Sequence, residues 1–330
     1  MPETTQQPFV CAQRPSLNTR TSSMKKQMEE AKYAIVYLAH GLESTKYQAV
    51  LSIYSLYYQL GGSNQDYRFI IYTDSDRTVL DKYLSGFPVT LEVLSNEQMK
   101  RFKGPENYIF RVKPAVIKDY FSKYKQTLLY MDTDTYFLRD PTPLLQSIKP
   151  GHSLMNAQEY DFVDAGLSEL EHWFILRQGL KRHTYTVAGQ QVTIPASTVM
   201  WNAGIIGLNQ ADAGLVDQYL SLTDEMFSRC KTFIVEQFVA SYVLQTVTQL
   251  SSTEDYIDHY WSKGVKHTFN LRLPAFLKQH AGLQGMTLYK QAFAFAQETR
   301  PISTPYRLPL TDRISTRLKL IMKVARQGYL

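Results

Sequence analysis

The stretch Leu128 to Asp134, Leu-Leu-Tyr-Met-Asp-Thr-Asp, constrains this chain more than any other. Leu128 to Met131 is an unbroken apolar run, as in a strand buried on both faces, and it leads straight into Asp132 and Asp134 with only Thr133 between. In open α/β sheets ligands sit beyond the carboxyl ends of the strands, which is where these aspartates fall. Two ionised carboxylates so close repel, and a hard divalent cation with oxygen ligands between them resolves the conflict. Removing one carboxylate is accordingly expected to relieve repulsion. Asp-x-Asp also occurs in ordinary turns, where the side chains accept from nearby backbone N–H groups.

The flanking chain supplies the sheet. Tyr33 to Ala39 is a β-rich apolar run that meets a loop at His40-Gly41; Arg68 to Thr73 and Val89 to Leu94 read as two further strands. From Thr45, Tyr47, Val50, Leu51, Tyr54 and Tyr58 follow helical spacing, and Gly61-Gly62 stops that helix. Asp74-Ser75-Asp76 turns into a helix through Leu84, so this second Asp-x-Asp reads as an N-cap. A further helix covers Ile109 to Tyr124 with Arg111 and Lys113 at its start. Strands alternating with helices predict an α/β fold with a mostly parallel, Rossmann-like sheet flanked by helices.

Composition narrows the class. The 330 residues, 44% of them hydrophobic, suffice for one large core. A net charge of +6 suits an anionic nucleotide or membrane surface, and no Lys/Arg block is dense enough for nucleic acid. Cys11 and Cys230 make neither a disulfide framework nor a zinc site, which points to a reducing, cytoplasmic compartment. Residues 1–28, rich in Thr, Gln, Ser and Pro, read as a disordered tail without a signal peptide. No segment has the apolar length of a membrane span. The expected division is a tail at 1–28, a domain at 29–270 and a helical C-terminal extension at 271–330.

With its flanks, the Asp132/Asp134 stretch resembles the DXD motif of nucleotide-sugar glycosyltransferases of the GT-A fold. The nearest pattern is the retaining, family 8-like group that includes glycogenin and bacterial lipopolysaccharide galactosyltransferases, with its Leu-Tyr-Leu-Asp-x-Asp run. Arg139-Asp140-Pro141-Thr142-Pro143-Leu144-Leu145 is similar to that family's exit from the site, and Asn202-Ala203-Gly204 before an apolar strand matches its Asn-Ala-Gly segment. Glu236-Gln237 stands where the family has an acidic residue and Gln beside the reacting sugar carbon. His259 is the match for a third metal ligand, with His267 in reserve, although the Gly and Lys-Pro-Trp that follow it in the family are displaced or missing here.

The resemblance implies a Mn2+ or Mg2+ ion on Asp132, Asp134 and His259, bridging a donor diphosphate beside Thr133. It further implies contact of Leu38, Ala39 and His40 with base and ribose, and of Arg111, Lys113 and either Lys263 or Lys266 with phosphate. Asn202 would meet sugar hydroxyls, and Gln237 and Glu236 would serve the chemistry. The function so implied is transfer of a sugar from a nucleotide-diphosphate donor, uracil the expected base, to a carbohydrate, lipid-linked or protein acceptor, with retention, in glycan or lipopolysaccharide synthesis.

Two other classes compete. A haloacid-dehalogenase-like phosphatase also begins its signature with Asp-x-Asp after an apolar strand, but wants Thr or Val where this chain has Tyr136. The other is a nucleotide-sugar-binding protein without turnover. At the C-terminus, Ile314, Leu318, Ile321, Met322 and Ala325 share a helical face, with Arg313, Arg317, Lys319, Lys323 and Arg326 mostly elsewhere. Such a basic amphipathic helix either packs on its own domain or rests on the inner face of a membrane.

Overall fold

The computed structural model describes residues 30–63, 66–160 and 170–302, with single positions at 315, 318, 319 and 322. The tail expected at 1–28 and most of the C-terminal amphipathic segment lie outside the described residues.

The chain alternates as its periodicity predicts. Strand β1 (Tyr33–Ala39) leads to α1 (Glu43–Gln59), β2 (Tyr67–Thr73), α2 (Thr78–Tyr83), β3 (Val89–Val93) and α3 (Asn96–Lys103). A 3-10 turn at Ile109–Arg111 opens α4 (Val112–Lys123), so the helix expected from Ile109 begins with a tighter turn. Strand β4 (Thr127–Met131) ends at the two aspartates, followed by β5 (Thr135–Phe137), α5 (Thr142–Gln146), β6 (His152–Met155) and β7 (Gln158–Tyr160). Next come α6 (Leu170–Arg182), β8 (Tyr185–Val187), β9 (Gln190–Val192), β10 (Met200–Trp201) and β11 (Ile205–Leu208). The chain continues through α7 (Leu215–Arg229), α8 (Val235–Val247), β12 (Gln249–Ser252), β13 (Ile257–His259), α9 (Lys263–Gln279) and α10 (Gly285–Ile302).

Seven strands form one sheet in the order β12-β6-β11-β4-β1-β2-β3, in which only β11 runs against the others. The α/β architecture expected from the sequence is the one found. Side chains along each strand alternate between two cores. Ala34, Val36, Leu128 and Tyr130 face α4, α7 and α8, while Ile35, Tyr37, Leu129 and Met131 face α1, α9 and α10. Because β1 and β4 are buried on both faces and run parallel, their carboxyl ends reach the same edge, with Tyr37 opposite Met131. Helix α9 runs through residue 270 without a break, and α10 packs on α1.

Candidate active site

Three separate segments converge at that edge. Met131 ends β4, and Asp132 N–H donates to Gly204 C=O at 2.7 Å, which brings the Asn202-Ala203-Gly204 segment alongside. The short pair β5 and β13 is antiparallel, with His259 opposite Thr135. A residue 125 positions downstream of Asp134 is thereby placed beside it. One ligand atom from each of Asp132, Asp134 and His259 can be chosen so that all lie within 4.8 Å of one another. Two carboxylates and one imidazole suit a hard to borderline divalent ion such as Mn2+ or Mg2+.

The surrounding groups fix these three. His259 Nδ1 lies 2.8 Å from Asn202 Oδ1, which also accepts from Gly204 N–H at 2.9 Å. An amide oxygen can only accept, so Nδ1 donates to Asn202, and Nε2, 3.5 Å from Asp134 Oδ1, is the ring nitrogen on the side of the aspartate. Gly204 is dictated by the same ring, since a Cβ there would stand 2.1 Å from His259 Cε1. Thr133 Oγ1 donates to Gln48 Oε1 at 2.8 Å, and Gln48 Nε2 donates to Asn270 Oδ1 at 2.6 Å.

Each aspartate has a lysine beside it. Lys266 Nζ donates to Asp134 Oδ2 at 2.7 Å. Burial alone would raise the Asp134 carboxyl, but His259 and Lys266 outweigh it and hold the group well below the usual carboxylate range. The expectation that removing one carboxylate relieves repulsion is therefore corrected, because Asp134 is already paired. Lys113 Nζ donates to Ala203 C=O at 2.7 Å and lies 3.4 Å from Asp132 Oδ2 and 3.7 Å from Glu236 Oε2. Burial works against its charge, yet Asp132 and Glu236 prevail and raise its pKa.

Glu236 and Gln237 open α8 and take different surroundings, as neighbours about 100° apart on a helix must. Glu236 is buried, accepts the Tyr219 O–H at Oε1 and faces Lys113 with Oε2. Its pKa is raised by burial, partly offset by Lys113 and Tyr219. Gln237 Nε2 donates to Glu159 Oε2 at 2.8 Å, and Asn202 Nδ2 donates to Glu159 Oε1 at the same distance. Glu159 thus turns both amides so that their oxygens point elsewhere.

These side chains line one cleft of about 610 Å³. Leu38, Lys113, Asp132, Thr133, Asp134, Asn202, Glu236, Gln237, His259 and Lys266 are in its wall. Ala39, His40, Arg111, Lys263 and His267, expected at the site or in reserve for it, are not. Arg111 is turned to the α4–α7 side, where its guanidinium grips Asp224 with two nitrogens, one bond at 2.8 Å, and gives a third hydrogen bond to Phe102 C=O at 2.8 Å. These bonds tie the start of α4 to α7. Ala39 C=O is taken by Thr73 Oγ1 at 2.8 Å.

No local pattern marks Glu159, whose neighbours Asn202 and Gln237 lie far along the chain. Only the antiparallel pairing of β7 with β10, Trp201 opposite Gln158, places it there. The second Asp-x-Asp serves structure. Asp74 accepts from Gly41 N–H at 2.7 Å and pairs with buried Lys46 at 2.9 Å, while Asp76 Oδ1 accepts from Thr78 N–H at 3.2 Å.

No protein-family model matches this sequence, and no curated protein matches it. Solved structures do. The chain is similar to the galactosyltransferase LgtC in complex with donor and acceptor sugar analogues, at 14% identity over 67% of this chain and 73% of that one, TM-score 0.45. It is also similar to mouse xyloside xylosyltransferase 1 at 12% identity, over 67% of this chain and 84% of that one, TM-score 0.44. The mannosyltransferase Ktr4p from S. cerevisiae matches at 13% identity, over 76% of this chain and 82% of that one, TM-score 0.44. The likeness is one of fold.

Proposed function

We propose that this protein is a divalent-metal-dependent glycosyltransferase that takes a sugar from a nucleotide-diphosphate donor, UDP-linked, and passes it with retention to an acceptor hydroxyl. The observation that carries the reading is the Asp132, Asp134 and His259 triad at the carboxyl end of β4 in a mostly parallel sheet, in a cleft that also holds two lysines and two amides. Asp132, Asp134 and His259 would hold the ion, which when bound supplies positive charge for a diphosphate leaving group. Lys266, 38% exposed at its side chain, can turn from Asp134 toward that diphosphate. Lys113 is held too firmly to turn and contributes a fixed positive potential where negative charge would develop.

The state of the α8 start supports retention. An inverting base, usually a carboxylate in such enzymes, has to be open to the acceptor. Glu236 is 3% exposed, with Tyr219 and Lys113 on its two oxygens, which does not suit that task. Gln237, held by Glu159, offers an amide to the sugar face. The acceptor proton would pass to the departing phosphate, which leaves from the same face.

The test is a thermal-shift screen of nucleotide sugars with and without Mn2+, followed by donor hydrolysis with the best binder. Stabilisation by a UDP-sugar only when Mn2+ is present is expected. Stabilisation by Mg2+ and phosphate with no response to any nucleotide sugar would favour the phosphatase class instead. Placement on the inner face of a membrane through the C-terminal segment belongs to the same proposal, and unequal flotation with anionic and neutral liposomes tests it.

A further inference from the structure

The floor of the cleft is polar, but part of its rim is not. Ile109, Phe110 and Phe233 line the cleft with 53%, 43% and 47% of their surfaces exposed. The Phe110 and Phe233 rings lie 5.9 Å apart, and the His172 ring backs Phe233 edge-on at 4.3 Å. Clustered large apolar side chains left open beside a cleft mark a binding surface.

This wall is built in advance of any ligand. Buried Tyr108 stacks on Phe227 at 3.8 Å and donates its O–H to Phe233 C=O at 2.6 Å. Glu236 N–H donates to that same hydroxyl at 3.1 Å. The group that fixes Phe233 therefore also fixes the first turn of α8, which carries Gln237. A preformed wall costs little ordering when it is covered.

The surroundings select its occupant. Ile109 and Phe110 belong to the turn that leads to Lys113, and Phe233 to the loop that leads to Gln237, so the wall is built on the two segments assigned to sugar and phosphate. Its three side chains carry no polar atom, and sugar hydroxyls laid on them would lose water without gaining a partner. We propose that Ile109, Phe110 and Phe233 seat an apolar, hydroxyl-free alkyl or aryl group of the acceptor, which makes the acceptor an amphiphilic glycoside. This rests on the glycosyltransferase reading above.

The test measures binding of methyl, butyl and octyl β-glucosides, all below micellar concentration, with UDP and Mn2+ present. Quenching of Trp173 and Trp261, which line the cleft, gives the readout. Octyl glucoside is expected to bind about tenfold tighter than methyl glucoside, the factor given by burying roughly two methylenes. Phe110→Ala with Phe233→Ala should reduce that ratio to about threefold or less, and Ile109→Ser alone should lower it partway. All three positions are exposed, and an unchanged Tm verifies that the variants fold. A ratio near one in the parent chain, or an unaltered ratio in the double variant, overturns the proposal. So does a loss of UDP affinity as large as the loss of octyl preference, which would mean that the wall covers the base. If UDP fails to bind while the octyl preference and its loss in the variants persist, the transferase reading falls and the apolar seat stands.

Discussion

Gly204→Ala tests the geometry of the site most directly. A Cβ at this position would lie 2.1, 2.3 and 2.8 Å from Cε1, Nδ1 and Nε2 of His259. Non-bonded carbons rest roughly 3.5–4.0 Å apart, so the ring must retreat by about 1.5 Å. Forced overpacking of this kind costs about 1–3 kcal/mol. The backbone of Gly204 is not in the left-handed region, so apart from the ring the exchange suits it and would add about 0.4–1 kcal/mol by restricting the unfolded chain. The cost should therefore vanish or change sign when His259 is alanine. Urea unfolding of the parent, Gly204→Ala, His259→Ala and the double variant, all without metal, measures this as a coupling energy. Metal ligation tolerates only about 0.2 Å of displacement, so calorimetry should also show Gly204→Ala losing Mn2+ affinity. Equal costs of Gly204→Ala in both backgrounds, within about 0.5 kcal/mol, would refute the reasoning.

Asp134→Asn should abolish metal-dependent donor binding and also destabilise the protein, because Lys266 loses its partner. The Asp134 carboxyl is depressed on folding, so its contribution is whole at neutral pH and disappears as the pH falls below the usual carboxylate value of about 3.9. The urea midpoints of parent and variant should differ at pH 7 and converge in acid; a constant gap would falsify this. Thr133→Val leaves buried Gln48 Oε1 without its donor and should cost about 1–3 kcal/mol in the same assay. Arg111→Ala and Asp224→Ala should couple by about 0.5–3 kcal/mol in a double-mutant cycle. The Arg111 variant should keep its UDP–Mn2+ affinity, and a large loss there would return Arg111 to the donor site. NMR of the first-formed glycoside should show the donor's anomeric configuration, and inversion would exchange the roles given to Glu236 and Gln237.

What the sequence shows plainly is whatever depends on short range. Leu128 to Met131 had to be a doubly buried strand, and its end had to be the edge where Asp132 and Asp134 meet other segments. Arg111 and Lys113 illustrate the limit. Two positions apart where the 3-10 turn passes into α4, they point to different sides, and only Lys113 enters the cleft. Which of them it is depends on Asp224, a residue on another helix that no local pattern marks. Asp74 and Asp76 carry the same local pattern as Asp132 and Asp134 but serve Lys46 and a helix start. No local pattern marks Glu159 or Phe233 either, because their importance comes from what β7 and Tyr108 bring beside them.

Lys266 and Asn270 stand one helical turn apart on α9, the first bonded to Asp134 and the second, through Gln48 of α1, to Thr133. The aspartate segment is thus laced to the helical layer that α1, α9 and α10 share. Two parts tied in this way cannot loosen independently, and by reciprocity each reports on the other. Amide protons of α10, none of whose residues lines the cleft, should exchange with solvent more slowly once a ligand tightens it. Shortening the chain at α10 should in turn slacken the grip on the ligand without removing one atom that touches it.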